Sequence, residues 1–298
     1  VQRRYVTVDV FTAKAFGGNP LAVVLDAAGL STSQMQSIAA EFNYSETTFV
    51  MSSPRAAAHA AQVRIFTPRT EIAFAGHPTV GTAVVLAREL EARGVSPLSD
   101  LVLEEGVGLV PVRLMRENGA VIGAEFRAPR ALEKGTRVAL ADAAACLSLP
   151  TADLCPDPPP QVLSVGLPFL VVSLASREAL RKARPSLAVH ERVLPPAGTD
   201  AVFAYAAGDS TEQLHARMFS PLDSIAEDPA TGSAAAATLA FLAAQRPERE
   251  LTWRIEQGVD MGRPSLILGR TCKRDGAVTA VHVGGHAVAI MHGSLDID

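Results

Sequence analysis

The sequence predicts an α+β protein of two pseudo-symmetric domains, each a curved mixed or antiparallel sheet wrapped around a central apolar helix. Three observations lead there. First, Arg64-Ile65-Phe66-Thr67-Pro68 recurs as Arg217-Met218-Phe219-Ser220-Pro221, and both copies continue at one offset into Ile-Ala pairs, Ile72-Ala73 and Ile225-Ala226. After a slip of two residues each copy enters a Pro-x-x-Gly-[Ser/Thr]-Ala turn, at Pro78 and at Pro229. So long a repeat exceeds a solenoid unit and marks two related half-molecules. Second, the helices expected after those turns lack a polar face. Ala234, Ala235, Ala236, Ala237, Leu239, Ala240, Phe241 and Leu242 make one apolar all round, and Val80 to Ala87 make its partner nearly so until Arg88. Such a helix must be buried on every side, which a sheet curved around it achieves. Third, short strands with hairpin signals dominate, unlike the regular strand–helix alternation of a doubly wound sheet.

Taken in chain order, Tyr5 to Phe11 alternates as a strand with Val6, Val8 and Val10 on one face. Gly17-Gly18-Asn19-Pro20 is a turn, and Leu21 to Leu25 a second strand. Ser31 with Gln34 forms a capping box opening a helix that turns Met35, Ile38, Ala39 and Phe42 inward and ends near Asn43. Glu46 opens a strand through Val50, and Asn118-Gly119 carries a type I′ hairpin signal. Cys155 to Pro160 reads as an exposed loop, and Arg184 to Gly198 as an irregular connection. Small residues at Gly81, Gly232, Ala234 and Ala235 allow strands close to the central helices. The halves are expected over residues 1–125, with a last strand at 286–298 able to rejoin them, and 126–285, with a cleft between them for the active site.

Composition narrows the function. With 298 residues, 48% hydrophobic and 19% charged, the chain has a globular core, and a net charge of −4 without a basic run excludes a nucleic-acid partner. The longest apolar run, Ala234 to Ala244, falls short of the about 20 residues a membrane span needs. The chain opens into a strand pattern rather than a signal peptide, and Cys146, Cys155 and Cys272 form no metal or disulfide pattern, so a cytoplasmic protein is expected. No metal or cofactor is expected: the histidines do not form a zinc pattern, and no G-x-G-x-x-G follows a strand.

The chemistry is expected where the two central helices begin. Each is read as starting on a proline, Pro78 or Pro229, which places His77 and Asp228 at the cap positions. Asp is a preferred cap and His is not, so the imidazole suggests another duty. Free N–H groups and a positive dipole end, with Gly81-Thr82 and Gly232-Ser233 close by, make an anion site suited to a substrate carboxylate. If the two helix starts face one another, the cleft holds Gly76, His77, Asp228, Gly232 and Ser233.

Several motifs resemble one family. Phe16-Gly17-Gly18-Asn19-Pro20-Leu21-Ala22-Val23-Val24, Glu46-Thr47-Thr48-Phe49-Val50 and Gly76-His77-Pro78-Thr79 are similar to signatures of the PhzF family. So are Glu227-Asp228-Pro229-Ala230-Thr231-Gly232-Ser233-Ala234 and Gln257-Gly258 through Met261-Gly262-Arg263-Pro264-Ser265. These phenazine-biosynthesis-like proteins have the diaminopimelate epimerase fold, and the blocks follow in family order over essentially the whole chain. The resemblance implies a homodimer with the active site between domains, and isomerisation of trans-2,3-dihydro-3-hydroxyanthranilate or a related small carboxylate without metal or cofactor. It implies Glu46 as acid/base, with His77 and Asp228 beside it and Ser233 on the substrate. Ser224 departs from the pattern, since relatives often carry Gly there.

Epimerases of this fold use two cysteines at the mouths of the central helices. Here those places read Ala75-Gly76-His77 and Asp228-Pro229-Ala230, with no thiol. One carboxylate can instead take a proton from one carbon and return it to another on the same face. Free Glu ionises near pH 4.3, and burial raises it toward the operating pH. Glu46, between Tyr44 and Phe49 in an otherwise uncharged segment, permits that. Two alternatives stand beside a proton-shifting isomerase: an epimerase or hydrolyase on a related acid, separable by product mass, and a binding protein that keeps the fold without turnover. Glu46, His77 and Asp228 together argue against the last, because binding alone needs no proton-transfer group.

Overall fold

The structure, a computed structural model, describes residues 2–51, 60–223 and 225–297. Ser224 and His59 lie outside them. The chain divides into two compact units, Val1–Pro129 with Gly284–Asp298, and Arg130–Val283.

The first unit contains β1 (Gln2–Val10), β2 (Asn19–Val24), α1 (Thr32–Phe42), β3 (Glu46–Val50), β4 (Ala60–Phe66), β5 (Glu71–Ile72), α2 (Gly76–Ala92), β6 (Asp100–Glu105), β7 (Gly108–Glu117) and β8 (Ala120–Arg127). Strands β1 and β2 pair antiparallel, β2 and β3 parallel, β3 and β4 antiparallel, β4 and β6 parallel, and β6, β7 and β8 antiparallel in turn. Helix α1 is the crossover between β2 and β3. The Ser31/Gln34 capping box is formed, and Asn43 ends α1 in the left-handed conformation, where its short amide side chain is tolerated. Met35 and Ala39 bury against Val24, Phe49 and Phe66. Asn118 and Gly119, at φ 49° and 83°, make the expected hairpin turn.

The second unit contains β9 (Glu133–Arg137), α3 (Leu140–Cys146), β10 (Gln161–Ser164), β11 (Pro168–Ser173), α4 (Arg177–Lys182), α5 (Leu187–Ala197), β12 (Val202–Ala207), β13 (Gln213–Ser220), β14 (Ile225–Asp228), α6 (Gly232–Ala244), β15 (Glu250–Gln257) and β16 (Ser265–Arg274). From β10 onward its pairing repeats that of the first unit: β10 and β11 antiparallel, β11 and β12 parallel around α4 and α5, β12 and β13 antiparallel, β13 and β15 parallel across α6, β15 and β16 antiparallel. The sequence repeat is therefore a repeat of topology. Its Arg-x-Phe core has one job in both copies. Arg64 grips Glu71 with Nε and Nη2 at 2.7 and 2.6 Å, and Arg217 grips Glu227 the same way at 2.7 and 2.6 Å. Each guanidinium also lies over the ring two residues on, Phe66 at 5.1 Å and Phe219 at 4.8 Å.

Strand β17 (Ala277–Asp296) completes the first unit with its part from Gly284 onward. Its residues 287–296 pair antiparallel with β1, and the strand also pairs with β8, so this sheet closes on itself. Arg88 pins the seam, donating to the carbonyls of Val121 and Ala287. Helix α2 runs inside, touching β1, β2, β3, β6, β7 and β8, and is buried at every position from Gly76 to Ala87. The approach is close: a Cβ on Gly81 would lie 2.6 Å from Leu21 Cδ2 and 2.8 Å from Val10 Cγ2. Helix α6 is likewise buried from Gly232 to Phe241 and touches β10, β11, β15 and β16.

One segment expected to be irregular is helical. Residues 187–197 form α5, which buries His190, Val193, Leu194 and Ala197 and packs against α3. That spacing is amphipathic. The Pro195-Pro196 pair occupies the last turn on the exposed face, where the carbonyls of Glu191 and Arg192 that lose their donors can turn to water.

Candidate active site

In the first unit, Glu46 begins β3 and sits opposite Leu21 of β2 in parallel register. His77 lies in the first turn of α2 and is 3% exposed. Its Nε2 stands 3.4 Å from Glu46 Oε2, and its Nδ1 is 3.2 Å from Asn19 Nδ2. The 3.4 Å contact is not a hydrogen bond: His77 Nε2 has no hydrogen-bond partner among the described residues, and Asn19 holds the ring through Nδ1. Burial pushes the imidazole down to about 3, with the Pro20 backbone opposing only in part. At neutral pH this is an uncharged imidazole beside a carboxyl group whose side chain is 15% exposed.

The helix starts differ from expectation, and the cap assignments are corrected. Helix α2 begins at Gly76 with extended Ala75 as its cap residue, so His77 and Pro78 lie inside the first turn. Pro78 is tolerated there because the first N–H groups have no intrahelical acceptor. Helix α6 begins at Gly232 with Thr231 as cap residue, leaving Asp228 at the end of β14. Gly81 and Thr82 face the surrounding strands. Gly81 faces Val8, Val10 and Leu21, and the Thr82 hydroxyl hydrogen-bonds that of Thr48 at 2.8 Å.

In the second unit, Asp228 is buried and accepts from the Thr231 hydroxyl at 2.5 Å. Gln257 braces the turn from β15. Its Nε2 donates to Asp228 O at 2.8 Å and to Thr231 Oγ1 at 3.0 Å, while its Oε1 accepts from Thr231 N at 3.1 Å. Gly258, at φ +72°, lets the chain turn away, since a Cβ there would lie 2.6 Å from Pro229 O. Gly232 and Ser233 are the first two residues of α6, both buried. Thus Gly76, Glu46 and His77 share one end of the first unit, and Asp228, Gly232 and Ser233 one turn of the second.

Three participants escaped the sequence reading. Asn19 and Gln257 stood inside quoted motifs, but their side-chain partners are distant in sequence. Glu105 had a usable signal: in Leu101-Val102-Leu103-Glu104-Glu105 the strand alternation puts an acid on the face of Leu101 and Leu103. It is buried against α2, with the Thr79 hydroxyl 2.8 Å from Oε1, and burial pushes its carboxyl up to about 8 while Thr79 weakly opposes. A helix N-terminus favours a carboxylate by up to about 2 kcal/mol, less than the several kcal/mol that burying a charge costs.

Among the described residues no group of His, Cys, Asp and Glu is placed to hold a metal ion, and no helix is long and apolar enough to cross a membrane.

The family of phenazine biosynthesis-like proteins (PhzC-PhzF) matches residues 8–293. An uncharacterized isomerase from Mesorhizobium japonicum is 38% identical over 308 residues, covering 99% of each chain. The trans-2,3-dihydro-3-hydroxyanthranilate isomerase of Pseudomonas chlororaphis is 36% identical over 297 residues, covering 98% of each. Among solved structures, a PhzF-family protein from Bacillus anthracis superposes with a TM-score of 0.85 at 24% identity, covering 100% of each chain. A hydroxyproline epimerase from Agrobacterium vitis, at TM-score 0.67 and 11% identity over 99% of this chain and 91% of that one, shares the fold alone. The α+β architecture is that of the diaminopimelate epimerase-like proteins, and the chain belongs to the phenazine biosynthesis-like (PhzF) family, of which it is an isomerase.

Proposed function

We propose that the protein shifts a proton within a small, cyclic, carboxylate-bearing substrate, trans-2,3-dihydro-3-hydroxyanthranilate or a close relative, with Glu46 as the single acid/base and no cofactor. The observation that supports this most is Glu46 Oε2 at 3.4 Å from the buried, uncharged His77. A neutral imidazole packs against the Glu46 carboxyl without forming an ion pair with it, so Glu46 stays able to accept a proton. In the proposed step the Glu46 carboxylate removes a proton from a ring carbon and the C–H electron pair moves into the conjugated system. The resulting acid returns the proton to a second carbon on the same face. Atoms and charge balance without an outside donor. Asp228 is assigned to the same reaction as a polar contact to the substrate. Gly76, Gly232 and Ser233 are assigned to its carboxylate through the starts of α2 and α6.

The test is Glu46→Gln on a substrate that turns over. Gln keeps the shape but cannot accept a proton, so turnover should fall at least 10³-fold while ligand affinity changes little. In D₂O, deuterium should enter only the reprotonated carbon, and at less than one equivalent if the carboxylate holds its proton between steps. Near-normal turnover by the Gln variant would sink the mechanism.

A further inference from the structure

Glu105 is buried at 5% exposure, yet the proposed chemistry does not use it. Its surroundings dictate its protonation state. Thr79 Oγ1 lies 2.7 Å from Ala75 O and 2.8 Å from Glu105 Oε1, and the hydroxyl has one proton to give. A carbonyl can only accept. If the hydroxyl serves Ala75, the contact to Glu105 needs a proton from the acid itself. With that proton in place, acid donates to hydroxyl and hydroxyl donates to carbonyl, and both short contacts are satisfied. Ala75 is the cap residue of α2 and has no side-chain cap, and its carbonyl takes both the Thr79 N–H at 3.2 Å and the Thr79 hydroxyl at 2.7 Å, so Thr79 ties it to the helix twice. The next two residues are Gly76 and His77. Glu105 Oε2 has no hydrogen-bond partner among the described residues, which leaves Thr79 as the anchor of the acid.

We infer that Glu105 is a neutral carboxylic acid that, through Thr79 and Ala75, fixes the first turn of α2 and so holds His77 against Glu46. It is a positioning residue, and its effect on turnover rests on the isomerase reading above. Ionising Glu105 removes the donor, and the Thr79 hydroxyl must then swing from Ala75 to the carboxylate, loosening the turn that carries His77. Among the described residues, burial and the Thr79 hydroxyl are what act on this acid. Of the ionisable residues on neighbouring elements, His77 on α2 is uncharged, Glu104 on β6 is exposed, and Arg64 on β4 is bound to Glu71 on β5. On β7, Arg113 is bound to Glu125 of β8 and Arg116 to Glu91 of α2, and Arg88 is bound to backbone carbonyls.

The experiment compares wild type with Glu105→Gln, Glu105→Leu and Thr79→Val. Gln keeps the donor and cannot ionise. It should hold kcat within about twofold at pH 7 and lack the fall in kcat expected of wild type around pH 8. Leu and Val should lower kcat at least tenfold with a smaller change in KM. A second measurement needs no substrate. The His77 ring ¹⁵N resonances of wild type should shift through a step near pH 8, which Glu105→Gln abolishes. Identical pH profiles and identical His77 titrations in wild type and Gln variant would overturn the inference. If no substrate is turned over, the isomerase reading fails, and the His77 resonances still decide the role of Glu105.

Discussion

His77 faces Glu46 across 3.4 Å with its ring turned by Asn19, and the two residues come from different elements, the start of β3 and the first turn of α2. Neither strand nor helix alone creates the pair. The closed sheet around α2 does, because it forces the helix start against the beginnings of β2 and β3. The result is a carboxyl group held beside an uncharged imidazole, an arrangement that would suit reversible proton transfer better than an ion pair.

The two buried titratable groups near this site should shape stability in opposite directions. His77 is lowered from 6.5 to about 3, so its contribution is fully present above about pH 6.5 and is lost as pH falls toward 3. Glu105 is raised from 4.5 to about 8, so its contribution is present below about pH 4.5 and is lost as pH rises toward 8. Each gives a slope of up to about 1.4 kcal/mol per pH unit. Between about pH 4.5 and 6.5 they offset. Urea unfolding should therefore show His77→Gln less acid-sensitive and Glu105→Gln less alkali-sensitive than wild type. Parallel curves for all three proteins would contradict both protonation states.

The Gln257 brace should be costly to lose. Gln257→Glu keeps an acceptor for Thr231 N but cannot donate to Asp228 O or Thr231 Oγ1. Leaving such buried groups unpaired costs about 1–3 kcal/mol, which a shift in the denaturant midpoint would show. Turnover should fall with it, because the turn carrying Asp228 loses its outside support.

Gly81→Ala tests the fit of α2 inside its sheet. The added methyl would meet Leu21, Val10 and Val8 at 2.6, 2.8 and 3.1 Å, and overpacking of this kind costs about 1–3 kcal/mol. Combining it with Val10→Ala should recover part of the loss. An unchanged Tm for Gly81→Ala would show that the helix sits more loosely than described.

Thiol reagents and chelators should leave turnover intact. Cys146 is buried and its thiol is pushed up to about 11, first by burial and then by nearby Asp142, so it should resist alkylation. Cys155 and Cys272 are partly exposed and should label, but neither lies at the start of α2 or α6. Inactivation by iodoacetamide would revive a two-cysteine mechanism, and loss of turnover to a chelator, restored by one metal, would require a metal site.

Much of the architecture was legible in the chain. The Arg-x-Phe repeat predicted duplicated topology, and the polar-free stretches 80–87 and 234–242 predicted helices enclosed by sheet, because an all-apolar surface has nowhere else to go. The Ser31 capping box and the Asn118-Gly119 turn are local signals that tertiary contacts had no reason to override. Helix α5 was hidden because a proline pair looks the same in sequence whether it breaks a helix or closes its last turn.

Site details were less accessible, since they depend on residues distant in sequence. Proline position placed both helix starts wrongly: the backbone at Ala75 and Thr231, set by neighbouring strands and by Gln257, decides where the first helical hydrogen bonds form. Residue types and motif order marked Glu46, His77 and Asp228 as candidates for the chemistry. Folding alone decided that His77 is uncharged, that Asn19 orients it, and that Glu105 is buried against Thr79. Protonation and orientation are set by burial and by the nearest dipoles, and those neighbours are chosen by the closure of the sheet.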